Sequence, residues 1–294
     1  VLTAADLAAL AAAGVGEVTV ARLDPDDAGE DEAAAALADA LVPDPAAAGL
    51  ALTEPFTGRV NLHATRPGIV ALDAAAIGRL NAADPAITLA TLAPHTRVAE
   101  GVLAGTVKII AYGVSRAALG AACAAARGAI AIRPVVRRSA GLILTRVAGQ
   151  DARVARKGEE AITARLSALG MTLAGAVLVP HETGAIAAAL AALPGEIALI
   201  LTGSATSDLH DTAPEAVRRA GGRIERFGMP VDPGNLLFLG ELGGRPVIGL
   251  PGCARSPALN GADLVLERVA CGVPVGSDDI AAMGVGGLLK EIPI

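Results

Sequence analysis

The residues best suited to chemistry lie in a polar loop that follows the apolar run EIALIL in the C-terminal half. Gly203 is followed by small residues that leave backbone N–H groups and hydroxyls uncovered: Ser204, Ala205, Thr206 and Ser207. Such groups can cradle a phosphate when a helix N-terminus lies behind them. Asp208 and Asp211 could hold a cation, or could simply cap the helix that begins near Thr212. The loop predicts a phosphate site formed by Thr202, Gly203, Ser204, Ala205 and Asp208.

A second loop, LPGCARSP, follows the last apolar strand of the sequence and supplies a positive charge. Its Pro-Gly pair predicts a tight turn, and Arg255 near the start of a helix would suit a carboxylate or phosphate. Cys253 could be a nucleophile, but no histidine is tied to it, and a small, partly buried thiol is the favoured interpretation. We expect this loop to bind the same anion through Pro251, Gly252, Cys253, Arg255 and Ser256, with Lys157 adding charge.

No metal site is predicted from the histidines, because His63, His95, His181 and His210 lack the spacing of metal ligands. His181 and His210 follow apolar strands and could line the same crevice, although an ordinary polar loop residue is the favoured interpretation of each. The sequence has no G-x-S-x-G, G-x-G-x-x-G or Walker A motif. Their absence argues against an α/β-hydrolase, a dinucleotide-binding fold and a P-loop NTPase.

From residue 140 onwards, apolar strands alternate with helical patterns, which predicts the elements that position both loops. Such alternation is typical of a three-layer α/β/α fold with a doubly wound, mostly parallel sheet. In such sheets ligands bind beyond the carboxyl ends of the strands. Four loops follow strands directly and should meet at that edge: 145–157, 180–183, 202–211 and 251–257.

The first half has a different pattern, which predicts a smaller α+β domain. It shows a helix over 3–13, a strand at EVTVARL (17–23) and an alanine-rich helix over 33–41. A strand-rich stretch from 51 to 110, interrupted by a helix near 73–81, and a helix over 117–127 follow. We place a domain boundary near residue 138, which divides the chain into 1–138 and 139–294, the latter ending in a C-terminal tail.

Composition excludes several classes of protein. With 53% hydrophobic and 18% charged residues the chain is not intrinsically disordered. Its apolar runs are too short to cross a bilayer, and no secretory signal is visible. Three cysteines without CxxC spacing suit a reducing cytoplasm. A net charge of −6 and only four aromatic residues, Phe56, Tyr112, Phe227 and Phe238, disfavour nucleic-acid binding.

The C-terminal half resembles the molybdopterin-binding domain shared by molybdopterin adenylyltransferases, molybdenum-insertion enzymes and competence-damage-inducible proteins. Ordered matches extend over about 130 residues, 139–270: the Thr202-Gly203-Ser204 strand end, the loop closing on Asp211, the helix near Pro214-Glu215-Ala216, the Asp232–Asn235 turn, the Leu242–Ile248 strand and the Gly249–Gly252 loop. The segments EDEAA, TGRVNL, TVKII, GCARSP and MGVGGLLKEI are similar to molybdopterin-binding proteins that are sometimes fused to a molybdenum cofactor cytidylyltransferase.

This resemblance implies binding of molybdopterin or molybdenum cofactor in the biosynthesis or maturation of that cofactor, with Mg²⁺ as a candidate ion and Asp211 as the acid or magnesium contact of any catalysis. The sequence departs from the family pattern in four places: Ser204 replaces a glycine, His181 an acidic residue and Cys253 an asparagine, and Thr145-Arg146-Val147 replaces the Gly-Asp-Glu-type turn after the first strand. Two alternatives stay open. One is a nucleotide pyrophosphatase of the competence-damage-inducible type. The other is a non-catalytic partner module for a nucleotidyltransferase or a molybdoenzyme. A homo-oligomer is plausible because relatives often form them.

Overall fold

The computed structural model describes residues 2–289, so the end of the MGVGGLLKEI run lies outside the described residues. The predicted first helix is confirmed as α1 (Ala4–Ala12), because Thr3 and Asp6 form a reciprocal capping box at its start. The predicted strand at EVTVARL is wrong: residues 15–24 form no strand and are exposed. A strand is stable only when a neighbouring strand takes up its backbone groups, and this segment has no such neighbour in the described chain.

The rest of the first half is a mixture of short helices and antiparallel strands, as the α+β prediction requires. Three sheets have the strand orders β2-β3-β7-β5, β6-β4-β9 and β1-β8. The elements are β1 (Asp27–Gly29), α2 (Glu30–Leu41), α3 (Pro45–Ala48), β2 (Leu50–Leu52), β3 (Arg59–Ala64), β4 (Gly68–Leu72), α4 (Ala74–Ala83), β5 (Ile87–Thr91), β6 (Arg97–Val98), β7 (Leu103–Ile109), β8 (Gly113–Ser115), α5 (Arg116–Ala125) and β9 (Ile130–Pro134).

The second half is built on one six-stranded sheet of order β11-β10-β12-β15-β14-β13. The first four strands are parallel, and β14 runs antiparallel to both of its neighbours. The elements are β10 (Ser139–Arg146), α6 (Ala152–Ala168), β11 (Thr172–Pro180), α7 (Thr183–Ala192), β12 (Ile197–Leu201), α8 (Thr212–Arg219), β13 (Arg223–Phe227), β14 (Phe238–Leu242), β15 (Arg245–Leu250), α9 (Gly261–Ala270) and α10 (Ser277–Ala282).

Helices cover both faces of this sheet, which confirms the three-layer α/β/α architecture. Leu142 and Leu144 on β10 belong to one buried cluster with α6 and α9, through residues such as Leu166. Ile143, between them, points to the other face and belongs to a cluster with α7 and α8, through residues such as Val217. The sequence analysis did not predict α10, because its six residues are too few to show a clear helical period.

The buried residues support our proposal of a domain boundary near residue 138. One apolar cluster draws all of its buried members from residues 28–132, and the other two draw theirs from residues 140–283. Between them, the backbone N–H groups of Val136 and Arg137 both donate to the carbonyl of Ala270. The linker is therefore held against the end of α9. In the described residues no helix is both long enough and apolar enough to cross a membrane.

A buried arginine fixes the loop that follows β15. Arg165 on α6 is 7% exposed and donates from Nε to Asp263 on α9 at 2.6 Å. Its terminal nitrogens donate to the carbonyls of Ala254, Ser256 and Ala258 at 2.7 to 3.0 Å. The guanidinium therefore satisfies its own donors and sets the path of residues 254–258. Breaking such a pair from one side leaves an uncompensated buried charge.

We predict that Arg165→Ala lowers the free energy of unfolding by about 3–5 kcal/mol, the range for removing one partner of a buried ion pair. Urea unfolding measures this change. Arg116→Ala is the matched control, because Arg116 pairs with Glu32 in solvent, where ion pairs contribute little. Similar small losses for both variants would contradict the assigned role of Arg165.

Glu267 is a buried carboxyl at the junction of the two halves. It is 5% exposed, and its Oε1 lies 3.5 Å from Nη1 of Arg97. Burial raises the pKa of Glu267 to about 7, against the partial compensation of Arg97. Glu267 also lines a cavity of about 680 Å³, together with His95, Arg268 and Met283.

The raised pKa of Glu267 makes stability fall as pH rises. The folded protein keeps the proton up to about pH 7, whereas the unfolded chain loses it near 4.5. Between these values the native state binds more protons than the unfolded chain, so raising the pH through this interval lowers the free energy of unfolding by about 3 kcal/mol. We expect Glu267→Gln to gain stability relative to the wild type between pH 4.5 and pH 8, measured by urea unfolding. Glu54→Gln, on an exposed side chain, should show no such gain. A stability difference between wild type and Glu267→Gln that does not change with pH would contradict the raised pKa of Glu267.

Candidate functional site

The loops predicted to form the site do meet at one edge of the sheet. Strands β10, β11, β12 and β15 are parallel, and their last residues pair with one another, as Leu201 does with Leu144 and Leu250. The loop between β13 and β14, residues 228–237, reaches the same edge because Phe238 at the start of β14 pairs with Gly249 near the end of β15. The turn Asp232–Asn235 therefore lies at the edge too.

The loops after β10 and β12 approach each other most closely at Gly203. A Cβ atom there would lie 2.6 Å from the carbonyl oxygen of Thr145 and 2.6 Å from Oε1 of Gln150. Only glycine fits without movement of the backbone. The contact is held by hydrogen bonds, because Gly203 N–H donates to Thr145 Oγ1 at 2.7 Å and Gln150 Nε2 donates to the Gly203 carbonyl at 3.1 Å.

Three consecutive backbone N–H groups follow this contact. Those of Ser204, Ala205 and Thr206 have no acceptor within the described part of the chain. Ser204 and Ala205 are exposed, whereas Thr206 is buried. The hydroxyl of buried Thr202 donates to the Ser204 carbonyl at 2.5 Å, which holds the loop in a tight turn. Adjacent uncommitted N–H groups in a turn are the backbone arrangement that binds anions.

The two aspartates of the loop both accept hydrogen bonds from nearby backbone N–H groups. Asp208 Oδ1 accepts from His210 N–H at 2.7 Å. Asp211 is the N-cap of α8, and its carboxylate accepts from Thr212 N–H at 2.6 Å and from Ser207 N–H at 3.1 Å. Burial by itself raises the pKa of Asp211, but these backbone hydrogen bonds bring the pKa below its ordinary value. A carboxylate of lowered pKa is ionised at neutral pH, so it is suited to hold a cation and carries no proton to donate.

This capping changes one expectation about the site. The sequence predicted a phosphate against the N-terminus of the helix that follows the loop. In the structure the Asp211 carboxylate already occupies that N-terminus, and a second anion there would be repelled. The uncommitted donors of Ser204, Ala205 and Thr206 lie earlier in the loop, so the anion-binding part of the loop is displaced from the helix start.

Arg255 connects the loops after β12 and β15. It is partly buried and donates from one terminal nitrogen to the Thr202 carbonyl and from the other to the Gly252 carbonyl. Its Nε is buried and has no partner among the described residues. Burial lowers the pKa of the guanidinium. Arg255 therefore places a positive charge, and an Nε–H that no described residue accepts, directly behind Thr202, where the phosphate loop begins.

The remaining predicted binding residues contribute less. Pro251 is buried at the turn, and the Ser256 carbonyl is taken by Arg165. Cys253 lies in the 3₁₀ turn Gly252–Arg255, where the residue as a whole is exposed although its thiol is partly desolvated. Partial desolvation raises the pKa of its thiol, which disfavours a nucleophilic thiolate. Lys157 is exposed on α6 and contacts none of these loops through a hydrogen bond or ion pair.

Sequence reasoning missed two residues that organise the site, Thr145 and Gln150, and gave too little weight to His181. Thr145 Oγ1 lies 2.9 Å from Nδ1 of His181 and also accepts from Gly203, so it joins three loops. The only signal in the sequence was position, since Thr145 and His181 each lie at the end of an apolar strand. No cluster of three or more metal-ligating side chains is found among residues 2–289.

Comparisons with known proteins give weak matches. No family model matches the sequence, and no curated protein matches it. Among solved structures, the molybdopterin biosynthesis moea protein from Pyrococcus horikosii is 15% identical, with a TM-score of 0.34 over 76% of this chain and 72% of that chain. The molybdopterin biosynthesis enzyme MoaB from Thermus thermophilus is 20% identical, with a TM-score of 0.30 over 47% of this chain and 98% of that chain. At these TM-scores neither likeness carries a functional assignment.

We predict that Gly203→Ala destabilises the protein by about 1–3 kcal/mol, the cost typical of overpacking, because the new methyl group meets the Thr145 backbone. Thermal unfolding measures the loss. Gly78→Ala is the control: Gly78 lies inside α4 with open space around it, so alanine there should stabilise the helix. Equal stability of Gly203→Ala and wild type would show that the two loops are not in close contact.

Proposed function

We propose that the protein binds a molybdopterin-type pterin through its terminal phosphate and acts in the biosynthesis or maturation of molybdenum cofactor. The observation that carries this proposal is the set of three adjacent backbone N–H groups, Ser204 to Thr206, that have no acceptor among residues 2–289 and lie beside a partly buried arginine. These donors fit a phosphate monoester, which offers several acceptor oxygens and a negative charge. The resemblance of residues 139–270 to the molybdopterin-binding domain supplies the pterin part of the proposal.

Each residue has a defined role in this proposal. The loop amides of residues 204–206 bind phosphate oxygens, and Arg255 neutralises the charge from behind Thr202. Gly203 and Thr202 give the loop its shape and carry no ligand contact through a side chain. Asp211 holds the start of α8 and is the group suited to a cation such as Mg²⁺ beside the phosphate. Asp208, Pro251, Gly252, Cys253 and Ser256 shape the walls, and Lys157 adds charge at the rim.

The proposal concerns binding and leaves the reaction open. A catalytic role would need a cation at Asp211 and a nucleotide or molybdate as second substrate. A binding role would need a partner to receive the pterin, such as a molybdenum cofactor nucleotidyltransferase or a molybdoenzyme. Self-association belongs to the same proposal, since relatives of the resembled family often form oligomers.

Fluorescence titration with neopterin phosphate tests the proposal directly. The chain contains no Trp and one Tyr, so pterin emission is observed against an almost dark background. We expect saturable binding of neopterin phosphate and at least tenfold weaker binding of neopterin, since hydrogen bonds to charged groups contribute about 1.5–3 kcal/mol. We also expect Arg255→Ala to weaken binding about tenfold or more, for the same reason.

Two controls separate binding from folding. Arg79→Ala removes one exposed positive charge from α4 and should leave the affinity unchanged. Thermal unfolding of Arg255→Ala, and recovery of affinity in Arg255→Lys, distinguish a lost charge from a collapsed loop. Equal affinity for neopterin and neopterin phosphate would reject a phosphate site. Hydrolysis of ADP-ribose with a divalent metal, in the absence of pterin binding, would favour the nucleotide pyrophosphatase instead.

A further inference from the structure

His181 is held in a fixed orientation at the site, although it stands where the resembled family has an acidic residue. Its Nδ1 lies 2.9 Å from Thr145 Oγ1, and its backbone N–H donates to the Arg146 carbonyl at 3.1 Å. The side chain of His181 is partly buried, and its bond to Thr145 ties it to the end of β10.

The bond to Thr145 determines which ring nitrogen is available. Thr145 Oγ1 already accepts the N–H of Gly203, so its hydroxyl proton is free to be donated to His181 Nδ1. The neutral ring then carries its own proton on Nε2. Within residues 2–289 no hydrogen-bond partner of Nε2 is found. The imidazole therefore presents an N–H donor that no residue of the described part of the chain uses.

We propose that His181 contacts the phosphate of the ligand through Nε2 and makes binding stronger when the imidazole is protonated. The inference rests on the proposed phosphate site and adds to it a determinant of pH dependence. Thr145 is a positioning residue in this scheme, because it links the imidazole to Gly203 at the start of the phosphate loop.

The loops at this edge of the sheet carry many charged or titratable side chains: Arg146 and Asp151 after β10, Glu182 after β11, Asp208, His210 and Asp211 after β12, and Arg255 after β15. The positive charge of His181 helps to lower the pKa of Asp211, after the larger effects of burial and backbone hydrogen bonds, so the two groups lie near each other.

The second ionisation of the ligand's phosphate changes the affinity in the direction opposite to that of a contact with His181, so the two effects can be told apart. A phosphate monoester gains its second negative charge near pH 6. Binding to the fixed charge of Arg255 should therefore strengthen as pH rises. An imidazole loses its charge between about pH 5 and 8, so a contact with His181 should weaken binding over the same interval.

The experiment is a fluorescence titration with neopterin phosphate at several pH values between 5.5 and 8.0, using wild type, His181→Gln, His63→Gln, Thr145→Val and Thr145→Ser. We expect the ratio of the wild-type affinity to the His181→Gln affinity to fall about tenfold over this range, the size of one charge-assisted hydrogen bond. The affinity of His181→Gln should itself stay constant or rise with pH. His63→Gln should behave as wild type, because His63 lies on β3 with Nδ1 on the Gly101 carbonyl.

Thr145 provides a second, independent readout. Thr145→Val should reduce the pH dependence because the ring is no longer oriented, and Thr145→Ser should restore it because the hydroxyl is kept. Wild-type pH dependence in His181→Gln, or loss of pH dependence in His63→Gln, would overturn the inference while leaving the phosphate site intact. Failure of wild type to bind neopterin phosphate at every pH would instead reject the proposed function on which the inference rests.

Discussion

The close approach of the loops after β10 and β12 at Gly203 is the constraint on which the candidate site depends. Because parallel β10 and β12 are neighbours, their following loops leave the sheet side by side. The carbonyl of Thr145 fills the space where a side chain of residue 203 would lie. The chain must therefore turn sharply away after Gly203, and after this turn the amides of Ser204 to Thr206 find no acceptor in the described part of the chain.

The same contact also orients the imidazole of His181. The Thr145 hydroxyl that accepts the Gly203 N–H is also bonded to the imidazole of His181. One side chain thus fixes the start of the phosphate loop and the direction of a titratable group. On the other side, buried Arg165 holds residues 254–258 and so places Arg255 against the Thr202 carbonyl. The candidate site therefore depends on two sets of polar contacts, those of Thr145 and those of Arg165, in addition to the hydrophobic core.

Much of the fold could be predicted from the sequence, because alternating strands and helices with continuous apolar strands are specific to a covered parallel sheet. The four strand-end loops followed from the same pattern. The capping role of Asp211 was one of two alternatives that the sequence left open, beside an acid or magnesium contact. The strand predicted at EVTVARL was wrong, because residue alternation reports a preference and says nothing about a partner strand. Thr145 and Gln150 escaped notice because their importance comes from Gly203, which is more than 50 residues away in the chain. Contacts of that kind have no local signature.

Backbone amide resonances of Ser204, Ala205 and Thr206 in the full chain, followed during titration with neopterin phosphate, test the central claim most directly. The account predicts that these three resonances shift saturably with neopterin phosphate and much less with neopterin. Gly78, remote in the sequence and in open surroundings, should not shift. Shifts confined to the cavity at the junction of the two halves, near His95 and Arg268, would contradict the account. So would unchanged spectra at millimolar ligand.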